Sequence, residues 1–119
     1  MLVFVSKNES QIFFLDLDTH EYVQDTAVPG GAEPDNIRIW GDYVWICTEG
    51  PGLYVRRISG AREKFGNAKA VLLAPASGQQ TAGIDFSPDG TRFYLNFYGG
   101  GTWQFWREDG KSFEFVPGV

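Results

Sequence analysis

Three times along this chain a strand-like run is followed by a short polar or glycine-rich break and a second strand-like run. Arg92-Phe-Tyr-Leu-Asn-Phe97, Gly99-Gly-Gly101 and Thr102-Trp-Gln-Phe-Trp106 form one copy. Tyr43-Val-Trp-Ile-Cys-Thr48, Glu49-Gly-Pro-Gly52 and Leu53-Tyr-Val-Arg-Arg57 form another. Leu2-Val-Phe-Val-Ser6, Lys7-Asn-Glu-Ser10 and Gln11-Ile-Phe-Phe-Leu15 form the third. The second run of each copy begins at Thr102, Leu53 and Gln11, spacings of 49 and 42 residues. A repeat of roughly 40–50 residues with about four strands per unit is the pattern of β-propeller blades.

The clearest unit is the hairpin within Thr81 to Tyr98. Ile84 and Phe86 alternate with Asp85, the period of an extended chain with two distinct faces. Ser87-Pro-Asp-Gly90 turns the chain: Pro88 presets φ, Asp89 bonds the local backbone and Gly90 accepts positive φ. Phe93, Leu95 and Phe97 then resume the alternation. A lone hairpin is marginal in water, so neighbouring strands are required.

In chain order, strands are predicted at Leu2–Lys7, Gln11–Asp16 and Tyr22–Thr26, then at Asp35–Trp40, Tyr43–Thr48, Leu53–Ile58 and Ala68–Ala74. After the Thr81–Tyr98 hairpin come Trp103–Arg107 and, past an Asp109-Gly110 turn, Lys111–Val116. Breaker-rich loops at Ala27–Pro34 and Pro75–Gln80 separate the copies. The count is three strands, then four, then four, with no helix. The predicted class is therefore all-β, a β-propeller fragment of about three four-stranded antiparallel blades, the first lacking its innermost strand. The blades cover approximately residues 1–28, 29–75 and 76–119. Propellers typically need four to eight blades. The expectation is that the chain is part of a longer propeller, or that two copies form a homodimer completing one ring.

Charge narrows the partners. Ten basic against 15 acidic residues leave a net charge of −5, with no basic run. Nucleic acid and anionic membranes both call for clustered Lys and Arg, so neither is expected as a partner. No apolar run approaches the roughly 18 residues of a membrane span. The opening Met-Leu-Val-Phe-Val-Ser lacks a basic leader and enters strand pattern directly, so no signal peptide is read and localisation is left open. Cys47 is the only cysteine and lies mid-strand, the setting of a small buried hydrophobe. His20, the only histidine, falls in the Asp18–Glu21 turn, the setting of a solvated residue.

In an up-and-down meander, alternate turns fall at the same end. That rule gathers Lys7, Asn8, Glu9, Glu33, Asp35, Asn36, Glu49, Gln79, Gln80, Thr81 and the glycines at 50, 52 and 99–101 at one end. Ordinary turns such as Gly41-Asp42, Ser87–Gly90 and Asp109-Gly110 go to the other. Carboxylates and amides converging with loose glycine backbone suit a hard cation such as calcium; polar loop residues with no ligand are the plain alternative.

Glu33-Pro-Asp-Asn-Ile-Arg-Ile-Trp40 followed by Val44-Trp-Ile-Cys-Thr-Glu-Gly50 resembles a segment of the PhoX-type alkaline phosphatases. There a Pro-Asp-Asn strand precedes a hydrophobic strand ending in Cys-Glu-Asp-Gly. Thr81-Ala-Gly-Ile-Asp-Phe-Ser-Pro-Asp-Gly-Thr-Arg-Phe-Tyr-Leu-Asn-Phe97 resembles that family's later Ala-Gly-Pro-x-Phe-Ser-Pro-Asp-Gly segment. The likeness spans roughly residues 30–107 and fits the C-terminal blades of a six-bladed propeller. It implies hydrolysis of phosphomonoesters with calcium and iron held by acidic side chains, and export of the protein. Carried over position by position, it assigns Asp35, Asn36 and Glu49 to metal. Three departures stand out. Gln80 replaces an acid, Thr48 intervenes between Cys47 and Glu49, and the family's metal-binding N-terminal blades have no counterpart in these 119 residues. By itself the chain is therefore not expected to be catalytically competent.

Two other functions fit the pattern. One is a non-enzymatic propeller module binding a partner through Phe97, Tyr98, Trp103 and Trp106, although core between blades is the plainer assignment for those aromatics. The other is a calcium-dependent, lactonase-like propeller.

Overall fold

A computed structural model describes residues 1–50, 52–59, 69–72 and 80–119, along 69–72 by backbone alone. Within them the chain is all-β, apart from one 3-10 turn at Pro29–Gly31 in the breaker-rich loop. The first sheet holds β1 (Leu2–Ser6), β2 (Gln11–Leu15) and β3 (Tyr22–Thr26). The central sheet holds β4 (Pro34–Trp40), β5 (Tyr43–Thr48), β6 (Leu53–Arg57) and β7 (Lys69–Leu72). The third holds β8 (Thr81–Phe86), β9 (Arg92–Phe97) and β10 (Gly101–Trp106). All pairings are antiparallel between chain neighbours, the meander that the repeat requires.

The three sheets stack through alternation. Along β5 every residue is buried, but successive side chains leave on opposite faces. Val44 and Ile46 join Val3, Ile12, Phe14, Ala27 and Val28 in a core shared with the first sheet. Tyr43, Trp45 and Cys47 join Ile84, Phe86, Phe93, Leu95 and Phe97 in a core shared with the third. The Trp45 ring anchors the second core, edge-on to Phe86 at 5.1 Å and to Phe113 at 5.9 Å. One strand therefore ties both cores together.

Several expectations require correction. Lys111–Val116 is not a strand, so among the described residues the third sheet has three strands, and the count is three, four, three rather than three, four, four. The chain instead turns under the second core. Phe113 packs on Phe93 at 4.9 Å and on Trp45, its amide donates to Gly90 O (2.8 Å), and the amide of Val116 donates to Tyr43 Oη (3.1 Å). Burial on both sides of Phe113 outweighs the half-burial that an outer strand on β10 offers. The expected strand at 68–74 is seen as β7, while 68, 73 and 74 lie outside the described residues, as does the loop at 75–79.

The core assignment holds for Phe97 and fails for its neighbours: Trp103, Trp106 and Tyr98 are exposed. They sit on or beside an edge strand that has no fourth strand against it among the described residues. The outer faces of the stack also differ. Leu2, Phe4, Phe13, Leu15 and Tyr22 share the outer face of the first sheet, Phe4 and Phe13 stacking at 4.8 Å. On the third sheet Arg92, Tyr94, Asn96, Thr102, Gln104 and Trp106 mix polar and aromatic groups.

Candidate functional site

The end of the stack singled out by the turn rule carries a charged cluster built from two sheets. Lys7 stands in the β1–β2 turn of the first sheet, Asp35 on β4, and Glu49 just past β5. The Lys7 ammonium lies 3.4 Å from Asp35 Oδ1 and closer still to Glu49 Oε1. Its hydrogen bond to Glu49 is the main reason the Lys7 pKa is raised, and the same bond holds the Glu49 carboxyl below its ordinary range. Glu33 borders the cluster, accepting the Glu49 amide at its carbonyl (3.0 Å).

A β-bulge delivers Asp35. Pro34 opposes Thr48 and Asn36 opposes Cys47, so Asp35 is the extra residue on β4. Such an insertion bends the strand and re-aims a side chain. The third sheet repeats the device: Thr81 opposes Phe97 and Gly83 opposes Asn96, leaving Ala82 as the extra residue on β8. The Ala82 carbonyl, removed from the regular ladder, accepts Asn36 Nδ2 at 2.8 Å. No residue pattern announces a bulge whose extra residue is Asp in one sheet and Ala in the other.

Beside the cluster, Thr48 and Thr81 bridge the central and third sheets. The Thr48 amide donates to Thr81 Oγ1 (2.9 Å), and Thr81 Oγ1 donates to Gly52 O (3.0 Å). Thr48 Oγ1 in turn donates to Gly50 O (2.7 Å). Both side chains are buried. Thr48 thus fastens the glycine-bearing turn that follows β5, which sets where Glu49 sits. Cys47, beneath it, is fully enclosed, and burial pushes its thiol up to about 11, so the thiol is protonated near neutral pH. His20 is exposed in its turn with a left-handed φ of 63°.

Of the three residues assigned to metal by resemblance, two converge. Asp35 and Glu49 meet on one cationic atom, whereas the Asn36 amide is committed as a donor to the third sheet. Among the described residues no cluster of three or more His, Cys, Asp or Glu side chains is set to hold a metal ion. Calcium takes six to eight oxygens. Two carboxylates neutralised by an ammonium fall short of that shell, so the arrangement holds a monovalent charge in place and fits a divalent ion only with Lys7 displaced. Comparisons with protein-family models, with curated proteins and with solved structures give no match.

Proposed function

We propose that this chain is a three-blade portion of a β-propeller of the PhoX-like kind, and that its Asp35–Glu49 end binds a hard cation, calcium first, in competition with the Lys7 ammonium. The observation that carries this reading is the convergence of two carboxylates, one on β4 and one in the turn after β5, positioned by a bulge and a threonine clamp, on a single cation position. The side chain of Lys7 is 44% exposed, so it can swing into solvent without opening the core. In a phosphomonoester hydrolase such a metal would supply positive charge to the phosphoryl oxygens. In that setting Asp35 and Glu49 hold the ion, while Thr48 and Asn36 keep their strands in register. Two carboxylates are part of a site, and the isolated chain is expected to turn over a generic phosphomonoester very slowly or not at all.

Titration calorimetry with calcium chloride tests the reading. Wild type should bind weakly, Lys7→Met should bind at least about tenfold more tightly because the competing charge is gone, and Asp35→Asn with Glu49→Gln should abolish the heat. Equal affinity in wild type and Lys7→Met, or none in either, would sink it. The exposed Trp103, Trp106 and Tyr98 favour a second reading, a propeller module that binds a protein partner, for which aromatic anchors are the usual energetic centre.

A further inference from the structure

We infer that the free edge of β10 is a self-association surface, where a second copy of this chain pairs its own β10 antiparallel across a two-fold axis. The repeat itself marks the position. β10 occupies in the third sheet the place of β6 in the central sheet, Thr102 corresponding to Leu53. On β6 that outer edge is paired with β7, with Leu53 opposite Leu72 and Val55 opposite Lys69. On β10 no strand of the described residues takes it, because 111–116 runs under the core instead.

The edge carries none of the usual protection. Gly101-Thr-Trp-Gln-Phe-Trp106 has no charged residue and no proline, the devices that keep sheet edges apart. Five of its six residues are exposed, Trp106 to 63% and Trp103 to 45%. The nearest cations are engaged: Arg92 lies over the Trp106 ring at 5.9 Å, and Arg107 pairs with Asp109 at 2.5 Å. A second β10 therefore meets no like charge. The edge also faces away from β8, the strand through which this sheet meets the central one. Sheets stacked on either face leave it free.

Geometry selects the register. A two-fold axis normal to the sheet keeps each side chain on its own side, so residues of equal parity must pair. Centring on Gln104 sets it opposite Gln104 of the second copy. Trp103 then faces Phe105 of that copy on the core side, an aromatic cross-strand pair, and Thr102 faces Trp106 on the other. Two six-residue strands overlap for about 20 Å. That places the contact in the small, transient class, below about 1,200 Å² in total, and the dimer should form at micromolar rather than nanomolar concentration.

Sedimentation equilibrium of the full chain between about 1 and about 100 μM tests this. Wild type should show a concentration-dependent monomer–dimer equilibrium. Gln104→Lys and Gln104→Glu each set like charges directly opposite at the axis and should weaken the dimer at least about tenfold. Far-UV circular dichroism and melting temperature should be unchanged, since Gln104 is exposed. An equimolar mixture of the two variants should regain association as a heterodimer. A wild type that stays monomeric throughout, an assembly unaffected by Gln104→Lys, or a mixture that stays monomeric would each overturn the inference.

Discussion

Arg56 is almost wholly enclosed between the first and central sheets, with its guanidinium 5.4 Å from the centre of the Phe14 ring. It bonds Asp25 Oδ2 at 2.9 Å and Thr26 O at 3.2 Å. The partners differ in access to water: Arg56 is 3% exposed, Asp25 23%. Removing the carboxylate strands a buried cation, whereas removing the cation leaves an acid that water can reach. Asp25→Asn should therefore cost about 3 kcal/mol, and Arg56→Met, which fills the same space without charge, about 1 kcal/mol or less. Urea unfolding midpoints compare the two, and equal losses would contradict the assignment. The residues around Arg56 read as a strand, yet nothing in Leu53–Arg57 says that this arginine meets an acid 31 residues earlier, on another sheet. Lys7, Asp35 and Glu49 are the opposite case. Their common end followed from counting turns, and only their distances needed the structure.

At the scale of elements, the β8–β9 hairpin formed as its alternation and turn residues require. Asp89 accepts from the Thr91 amide (3.0 Å), Thr91 Oγ1 (2.7 Å) and Ser87 Oγ (2.8 Å), and these bonds, the Thr91 amide foremost, lower its pKa to about 2. A group whose folded pKa is depressed adds stability that is fully present above its unfolded value and lost as pH falls through the folded one. The stability difference between wild type and Asp89→Asn should thus be constant down to about pH 5 and shrink progressively as pH falls from there through about 2. Melting temperatures across that range check it. Gly90 in the same turn has φ +72°, and a Cβ there would stand 2.5 Å from Ser112 Oγ and 2.7 Å from the Trp40 indole. Gly90→Ala should cost about 2 kcal/mol, from left-handed strain and overpacking together, read from the same unfolding curves. Its φ was implied by Ser-Pro-Asp-Gly. The contact with Ser112 was not, because it depends on the final segment abandoning strand pairing.

Across the whole molecule, burial is uneven. Both faces of the central sheet are covered, while the outer faces of the first and third sheets carry no sheet among the described residues. The first of these is apolar across Leu2, Phe4, Phe13, Leu15 and Tyr22, and the third is mixed. An apolar probe such as anilinonaphthalene sulfonate should bind the native protein and lose most of its fluorescence in Phe4→Thr with Phe13→Thr. Tyr94→Thr, on the outer face of the third sheet, should leave the signal largely intact. The reverse pattern would show that the exposed hydrophobic surface lies elsewhere.

By itself the sequence determined the all-β class, the three-unit repeat, nine strands with bounds within a residue or two of those observed, and the end at which charged side chains gather. These depend on local signals, namely alternation, turn residues and the parity of turns in a meander. Tertiary structure alone decided the fate of Lys111–Val116, the exposure of Trp103 and Trp106, and the bulges that aim Asp35 and free the Ala82 carbonyl. Each of those is a competition between burial sites far apart in the chain. An alternating segment such as Lys111–Val116 has the same local pattern whether it pairs at a sheet edge or folds beneath a core. Phe113 resolved that choice, because Trp45, Phe86 and Phe93 offered its ring contacts on several sides, and an edge strand exposes one face to water.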